Sequence, residues 1–123
     1  MLLKIFDSND KIKTLNLADC KLNGECVARL CKILKERNFT LKVLKFRNSK
    51  FSEEGVEGIA ELLRSHKTLI DLEIFNCGIT ERGGRVIGDA LKTNFHLEKL
   101  SIGENILNKK DVEQIQQSVI FNT

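Results

Sequence analysis

No apolar run in the 123 residues approaches the ~20 that a membrane-spanning helix needs, so no such span is expected. The opening MLLKIFDSND has too short an apolar region and no small-residue cleavage site, and it makes a poor signal peptide. Charge of one sign is equally lacking. Lys and Arg number 20 against 17 Asp and Glu, a net of +3, and the two signs are interleaved along the chain. A nucleic-acid footprint would need a clustered basic stripe, so nucleic acid is not an expected partner. There is no glycine-rich phosphate loop, no nucleophile beside a base and no metal-ligand spacing. Catalysis by the chain itself is disfavoured on these grounds, and neither a cofactor nor a metal is expected.

Cysteine is present four times, at Cys20, Cys26, Cys31 and Cys77. An even number could mark a secreted disulfide framework. The internal repeat speaks against it: Cys20 and Cys77 hold the same slot two repeats apart, on strands about 9–10 Å from each other, which is beyond disulfide reach. Cys31 takes a helix position filled by Ala60 and Gly88 in the next repeats, and Cys26 matches Gly55 and Gly83. Reduced structural thiols and a cytosolic setting follow. Asn38-Phe39-Thr40 forms a glycosylation sequon, a pattern too short to indicate secretion.

What is there is a repeat. Leucine-x-x-leucine-x-leucine, then a turn and an amphipathic run, starts at Ile12, Leu41, Leu69 and Leu97, at separations of 29, 28 and 28 residues. The spacing predicts four parallel strands whose inward residues are Ile12, Leu15 and Leu17; Leu41, Leu44 and Phe46; Leu69, Leu72 and Ile74; and Leu97, Leu100 and Ile102. After each strand comes a turn with Cys20, Ser49, Cys77 or Asn105. Asn23, Ser52, Thr80 and Asn108 follow as helix N-caps, with acids in the first helical turn. Val27, Leu30, Ile33 and Leu34 open the buried helical stripe, which continues through Val56, Ile59, Leu62 and Leu63, then Ile87, Ala90 and Leu91, then Val112, Ile115 and Val119. Phe39 and Phe95 precede the next strand by two residues and are expected as plugs under the sheet. His66 and His96 fall in polar turns and are expected to be solvated.

Residues 1–11 do not fit the repeat and are expected to form an N-terminal cap or partial repeat over the open core. The repeats then run 12–40, 41–68, 69–96 and 97–123 as one domain. Gln116 stands where Cys31, Ala60 and Gly88 are small, and so large a polar residue would obstruct a further stacked helix. Residues 118–123 are therefore expected at or near the C-terminal end.

Over residues 12–119 the pattern resembles the leucine-rich repeats of the ribonuclease-inhibitor class. The resemblance implies an α/β solenoid, with a curved parallel sheet and helices on its convex side. The class includes ribonuclease inhibitors, Ran GTPase-activating proteins, tropomodulins, innate-immune receptors and bacterial effectors, and the repeat alone does not choose among them. The usual turn asparagine survives only at Asn105, with cysteine as an accepted substitute and Ser49 as a departure expected to loosen the second turn. No catalytic motif of these relatives is matched.

The resemblance also implies a concave sheet face that binds protein. Its outward residues include Lys13, Asn16, Lys42, Lys45 and Arg47 on the first two strands, and Asp71, Glu73, Phe75, Lys99 and Glu104 on the last two. The face is bipolar, basic over the first pair of strands and acidic over the second. The plainer reading is that cross-strand pairs such as Lys45 beside Glu73 only stabilise the sheet, by a few tenths of a kcal/mol. The sharper one is a docking face anchored by Arg47 and Phe75, neighbours in the same slot. The functional expectation is a non-catalytic interaction module, monomeric, with a protein partner in the cytoplasm of its own cell or of a host. The alternatives are stimulation of a small GTPase, or an effector domain imitating a host repeat protein. High Lys, Asn, Phe and Ile usage suits an AT-rich genome.

Overall fold

The computed structural model describes residues 11–37, 40–120 and 122. Apart from Lys11, the expected N-terminal cap lies outside the described residues, and so does Phe39. Strand and helix alternate throughout: β1 Thr14–Ala18, α1 Gly24–Arg37, β2 Val43–Arg47, α2 Glu53–Ser65, β3 Asp71–Phe75, α3 Glu81–Leu91, β4 Lys99–Ser101 and α4 Lys109–Ile120. A helical crossover between successive strands lets them pair in parallel. They do so in sequence order, with Leu15 beside Leu44, Leu44 beside Leu72 and Leu72 beside Leu100. The register shift equals the sequence period, so every repeat delivers the same slot to the same place.

The inward leucines and isoleucines meet the helical stripe in one core. Phe46 and Phe51 pack edge to face there, their ring centroids 5.2 Å apart. Each such side chain contributes roughly 1.5–3 kcal/mol when fully buried, far more than any cross-strand charge pair. The core therefore sets the register, and the outward face is free to vary.

Two hydrogen-bonded ladders tie the turns together. In the inner one, Asn105 Oδ1 accepts from the backbone N–H groups of Cys77 (2.8 Å) and Ile79 (3.1 Å), while its amide donates to the carbonyls of Ile74 and Ile102. Ser49 supplies one bond of the same kind, since it is buried and its hydroxyl accepts from Leu22 N at 3.1 Å. The second turn is thus pinned rather than loosened, because a short hydroxyl still reaches the equivalent N–H. The outer ladder is built one residue earlier in each turn. Asp19, Asn48, Asn76 and Glu104 occupy one slot with φ of 62°, 61°, 51° and 58°. Asn and Asp tolerate this left-handed backbone better than other side chains. Here the Asn48 amide donates to Asp19 and the Asn76 amide to Asn48.

The helix starts divide. Asn23, Thr80 and Asn108 accept from the N–H three residues on, at 2.9, 3.4 and 2.8 Å. Ser52 makes no such bond. Its hydroxyl lies over Gly24 of the neighbouring helix, where an added Cβ would come within 2.0 Å of it. Packing against α1 has replaced capping of its own helix.

Two expectations about the connections fail. His66 is buried at 5% exposure, with the Thr68 hydroxyl 3.5 Å from Nδ1. It occupies the slot of Asn94, itself buried and donating to Leu63 O at 2.8 Å. That slot turns inward to hold the end of the preceding helix. Phe95 is no plug, since it is 74% exposed. Its slot in the preceding repeat holds the exposed Lys67, so the position faces water. At the last strand Gln116 Nε2 donates to Leu100 O (2.8 Å), which occupies the polar side chain on β4.

Candidate functional site on the outward sheet face

The alternation that buries Leu44 and Phe46 turns Val43, Lys45 and Arg47 outward, and the neighbouring strands do the same. The face is thus built of columns. One holds Asn16, Lys45, Glu73 and Ser101; another holds Ala18, Arg47 and Phe75.

Three of the expected site residues come together at its middle. The Arg47 guanidinium carbon lies 4.8 Å from the centroid of the Phe75 ring. A guanidinium nitrogen also meets Glu73 Oε1 at 2.9 Å, and the Glu73 side chain is only 15% exposed. Phe75 in turn lies over Gly103, where an added Cβ would stand 2.9 Å from ring carbon Cε2. Gly103 is thus the floor of the ring's seat, and any side chain there would displace it. Beyond Phe75 a shallow groove continues past Leu100, Ser101, Glu104 and Leu107.

The remaining expected residues share the face without joining this cluster. Lys45 stands directly opposite Glu73 in the register, but the carboxylate is held by Arg47. Planar guanidinium suits that bond better than a flexible ammonium. Asn16 Oδ1 turns back to accept from Ala18 N at 3.0 Å. Asp71 and Lys99 are register partners on β3 and β4. Lys13 and Lys42 sit at the strand entrances, where each carbonyl accepts two N–H groups from the next strand. Glu104 lies at the other end, after β4, a strand length of roughly 17 Å away. Asn48 and Asn76 were not singled out from sequence, although they flank Arg47 and Phe75 and are locked by the outer ladder. The signal was available: Asp, Asn, Asn and Glu recur in one slot.

Among the described residues no three His, Cys, Asp or Glu side chains gather as metal ligands, and no helix is long and apolar enough to cross a membrane. All four cysteines are free thiols, Cys20 and Cys26 exposed, Cys31 and Cys77 buried. Burial pushes the Cys31 thiol up to about 12.

No family model matches the chain. NACHT, LRR and PYD domains-containing protein 14 of Mus musculus is 26% identical over 110 residues, 89% of this chain and 11% of that protein. Ribonuclease inhibitor of Sus scrofa is 27% identical over 110 residues, 89% of this chain and 24% of the inhibitor. In three dimensions the leiomodin-1 actin-binding site 2 structure matches with a TM-score of 0.78 at 21% identity, over 95% of this chain and 69% of that one. The tropomodulin C-terminal domain of Caenorhabditis elegans gives a TM-score of 0.64 at 12% identity, over 98% and 90%. The chain has a leucine-rich-repeat fold and is similar to ribonuclease inhibitor. It spans about a tenth of the first of these curated relatives and about a quarter of the second.

For a leucine-rich-repeat protein, core and caps explain the inward residues and the turns. They do not account for Phe75. A half-buried aromatic on the solvent side of a sheet, seated on glycine and covered by arginine, has no core behind it to complete.

Proposed function

We propose that this chain is a non-catalytic protein-interaction module that binds a partner protein through the outward face of its sheet. The observation that carries the reading is the Arg47–Phe75 stack on Gly103. Arginine and aromatic residues are enriched at interface hot spots, and this pair is held in place before any partner arrives. The wider site comprises Lys13, Asn16, Lys42, Lys45, Asp71, Glu73, Lys99 and Glu104, which supply a polar rim. On this reading the protein acts as a monomer in the cytoplasm, a compartment that keeps exposed thiols such as Cys20 and Cys26 reduced.

The test compares affinity capture from cytosolic extract by the native chain and by Arg47→Glu/Phe75→Ala, with circular dichroism confirming equal folding. A protein recovered by the first and lost by the second supports the reading; equal recovery moves the site to the helices and sinks it. Purified actin belongs among the baits, because the leiomodin-1 structure of this fold is an actin-binding site. Small GTPases belong there too, and a raised hydrolysis rate in any of them would replace binding alone by stimulation.

A further inference from the structure

The internal pairing of the sheet face leaves a particular remainder of charge. Arg47 and Glu73 neutralise one another at 2.9 Å. Over β1 and β2 there remain Lys13, Lys42 and Lys45, none ion-paired with a described residue, against Asp19, which already receives the Asn48 amide. Over β3 and β4 there remain Asp71, Glu98 and Glu104 against Lys99. The two halves carry opposite net charge, with the apolar Phe75 at the boundary between them.

Such a face rejects a ligand of uniform charge, because a polyanion drawn to one half is repelled by the other. Neighbouring strands lie ~4.8 Å apart, so the centres of the two halves are separated by about 10 Å. That distance corresponds to about seven residues of helix at ~1.5 Å each, or two turns. Between paired strands the N–H and C=O groups are taken up in the ladder, so a segment lying across the face meets side chains rather than free backbone.

We propose that the face binds a helical polypeptide segment lying across the strands, acidic where it meets β1 and β2, basic two turns further on where it meets β3 and β4, and apolar between, over Phe75. This inference rests on the outward face being the binding site, and it names the chemistry of the partner. Charge complementarity of this kind fixes orientation as well as affinity.

The probe is a synthetic helical peptide with two turns of Glu, a central Leu and two turns of Lys, titrated into the full 123-residue chain. Binding is followed by amide resonances, with a nitroxide on one peptide end at a time. A label at the acidic end should broaden Thr14–Ala18 and Val43–Arg47, and a label at the basic end Asp71–Phe75 and Lys99–Ser101. A shuffled peptide of the same composition should bind about tenfold more weakly. Equal binding of the shuffled peptide, or broadening that ignores which end is labelled, overturns the inference, and no mutant is needed to reach either result. Absence of peptide binding while Arg47 and Phe75 still control protein capture would overturn it too, and would leave the interaction-module reading standing.

Discussion

Replacing Asn105 by Ala tests whether the turns are held by the inner ladder or merely accompany the leucine core. The side chain accepts from Cys77 N and Ile79 N and donates to the carbonyls of Ile74, Ile102 and Gly103. Alanine leaves two N–H groups without their partner. Each orphaned donor costs about 1–3 kcal/mol. The carbonyls lose less, since Gly103 O also receives Asn76 N. A loss of about 3 kcal/mol is expected, out of a total that for a domain of this size is about 5–15 kcal/mol. At about 3–5 °C per kcal/mol the midpoint should fall by ~10 °C. Ser49→Ala frees a single N–H, that of Leu22, and should cost about 1–2 kcal/mol. Urea unfolding followed by circular dichroism measures both. A loss under ~1 kcal/mol for Asn105→Ala, or equal losses for the two, would refute the ladder as the cause, because the difference between two orphaned donors and one is what the geometry dictates.

The caps give a paired contrast. Thr80→Ala removes a bond to Gly83 N and should cost about 1 kcal/mol, whereas Ser52→Ala, with no cap bond to lose, should stay within a few tenths. Thiol titration at mild alkaline pH should show two fast cysteines, Cys20 and Cys26, and two that react only on unfolding. Because burial raises the folded Cys31 thiol from 9.0 to about 12, its contribution to stability is intact below pH 9 and is lost as pH climbs toward 12. A flat unfolding free energy across that window would contradict it. Arg47→Ala should lower stability by about 1 kcal/mol, as the arginine side of its pair with Glu73 is 44% exposed. A much larger loss in denaturant would make the Arg47 cluster a structural element and remove its claim to be a docking anchor.

The strands, their direction and their inward residues were legible because one period repeats four times and each copy restates the others. Positions failed where a slot was read from residue type rather than from its column. His66 looked like a turn histidine, yet its column holds Asn94, whose inward turn to bond Leu63 O shows that the slot faces the interior. Phe95 looked like a plug, while Lys67 in the same column shows that the slot faces water. Ser49 looked like a defect, although a hydroxyl suffices for one of the two bonds that Asn105 makes. On the outward face the sequence could say which residues share it. It could not say which carboxylate meets which cation, since Glu73 passes over Lys45 directly opposite and takes Arg47 on the diagonal. Pairing of that kind depends on side-chain reach and guanidinium geometry, neither of which a register contains.

On the proposed reading, the outer ladder prepares this face for docking. Arg47 and Phe75 each immediately precede a left-handed residue, Asn48 and Asn76, whose side chains are bonded to one another at 2.7 Å. The backbone at the two anchors is therefore fixed on one side by β pairing and on the other by this amide bond. What remains to be ordered on binding is rotamer freedom, about 0.5–1.5 kcal/mol for each flexible side chain. The stack on Phe75 and the bond to Glu73 have already restricted Arg47, and the seat on Gly103 has restricted Phe75. On that reading a partner meets anchors whose ordering cost was met during folding, which lets the modest area of a four-stranded face support selective recognition. By the same reasoning Gly103→Val, which takes the seat from the ring, should weaken partner binding as much as truncating Phe75 itself, while leaving the far-ultraviolet circular dichroism spectrum unchanged. If binding survives Gly103→Val in a folded protein, preorganisation of the ring is not what the face relies on.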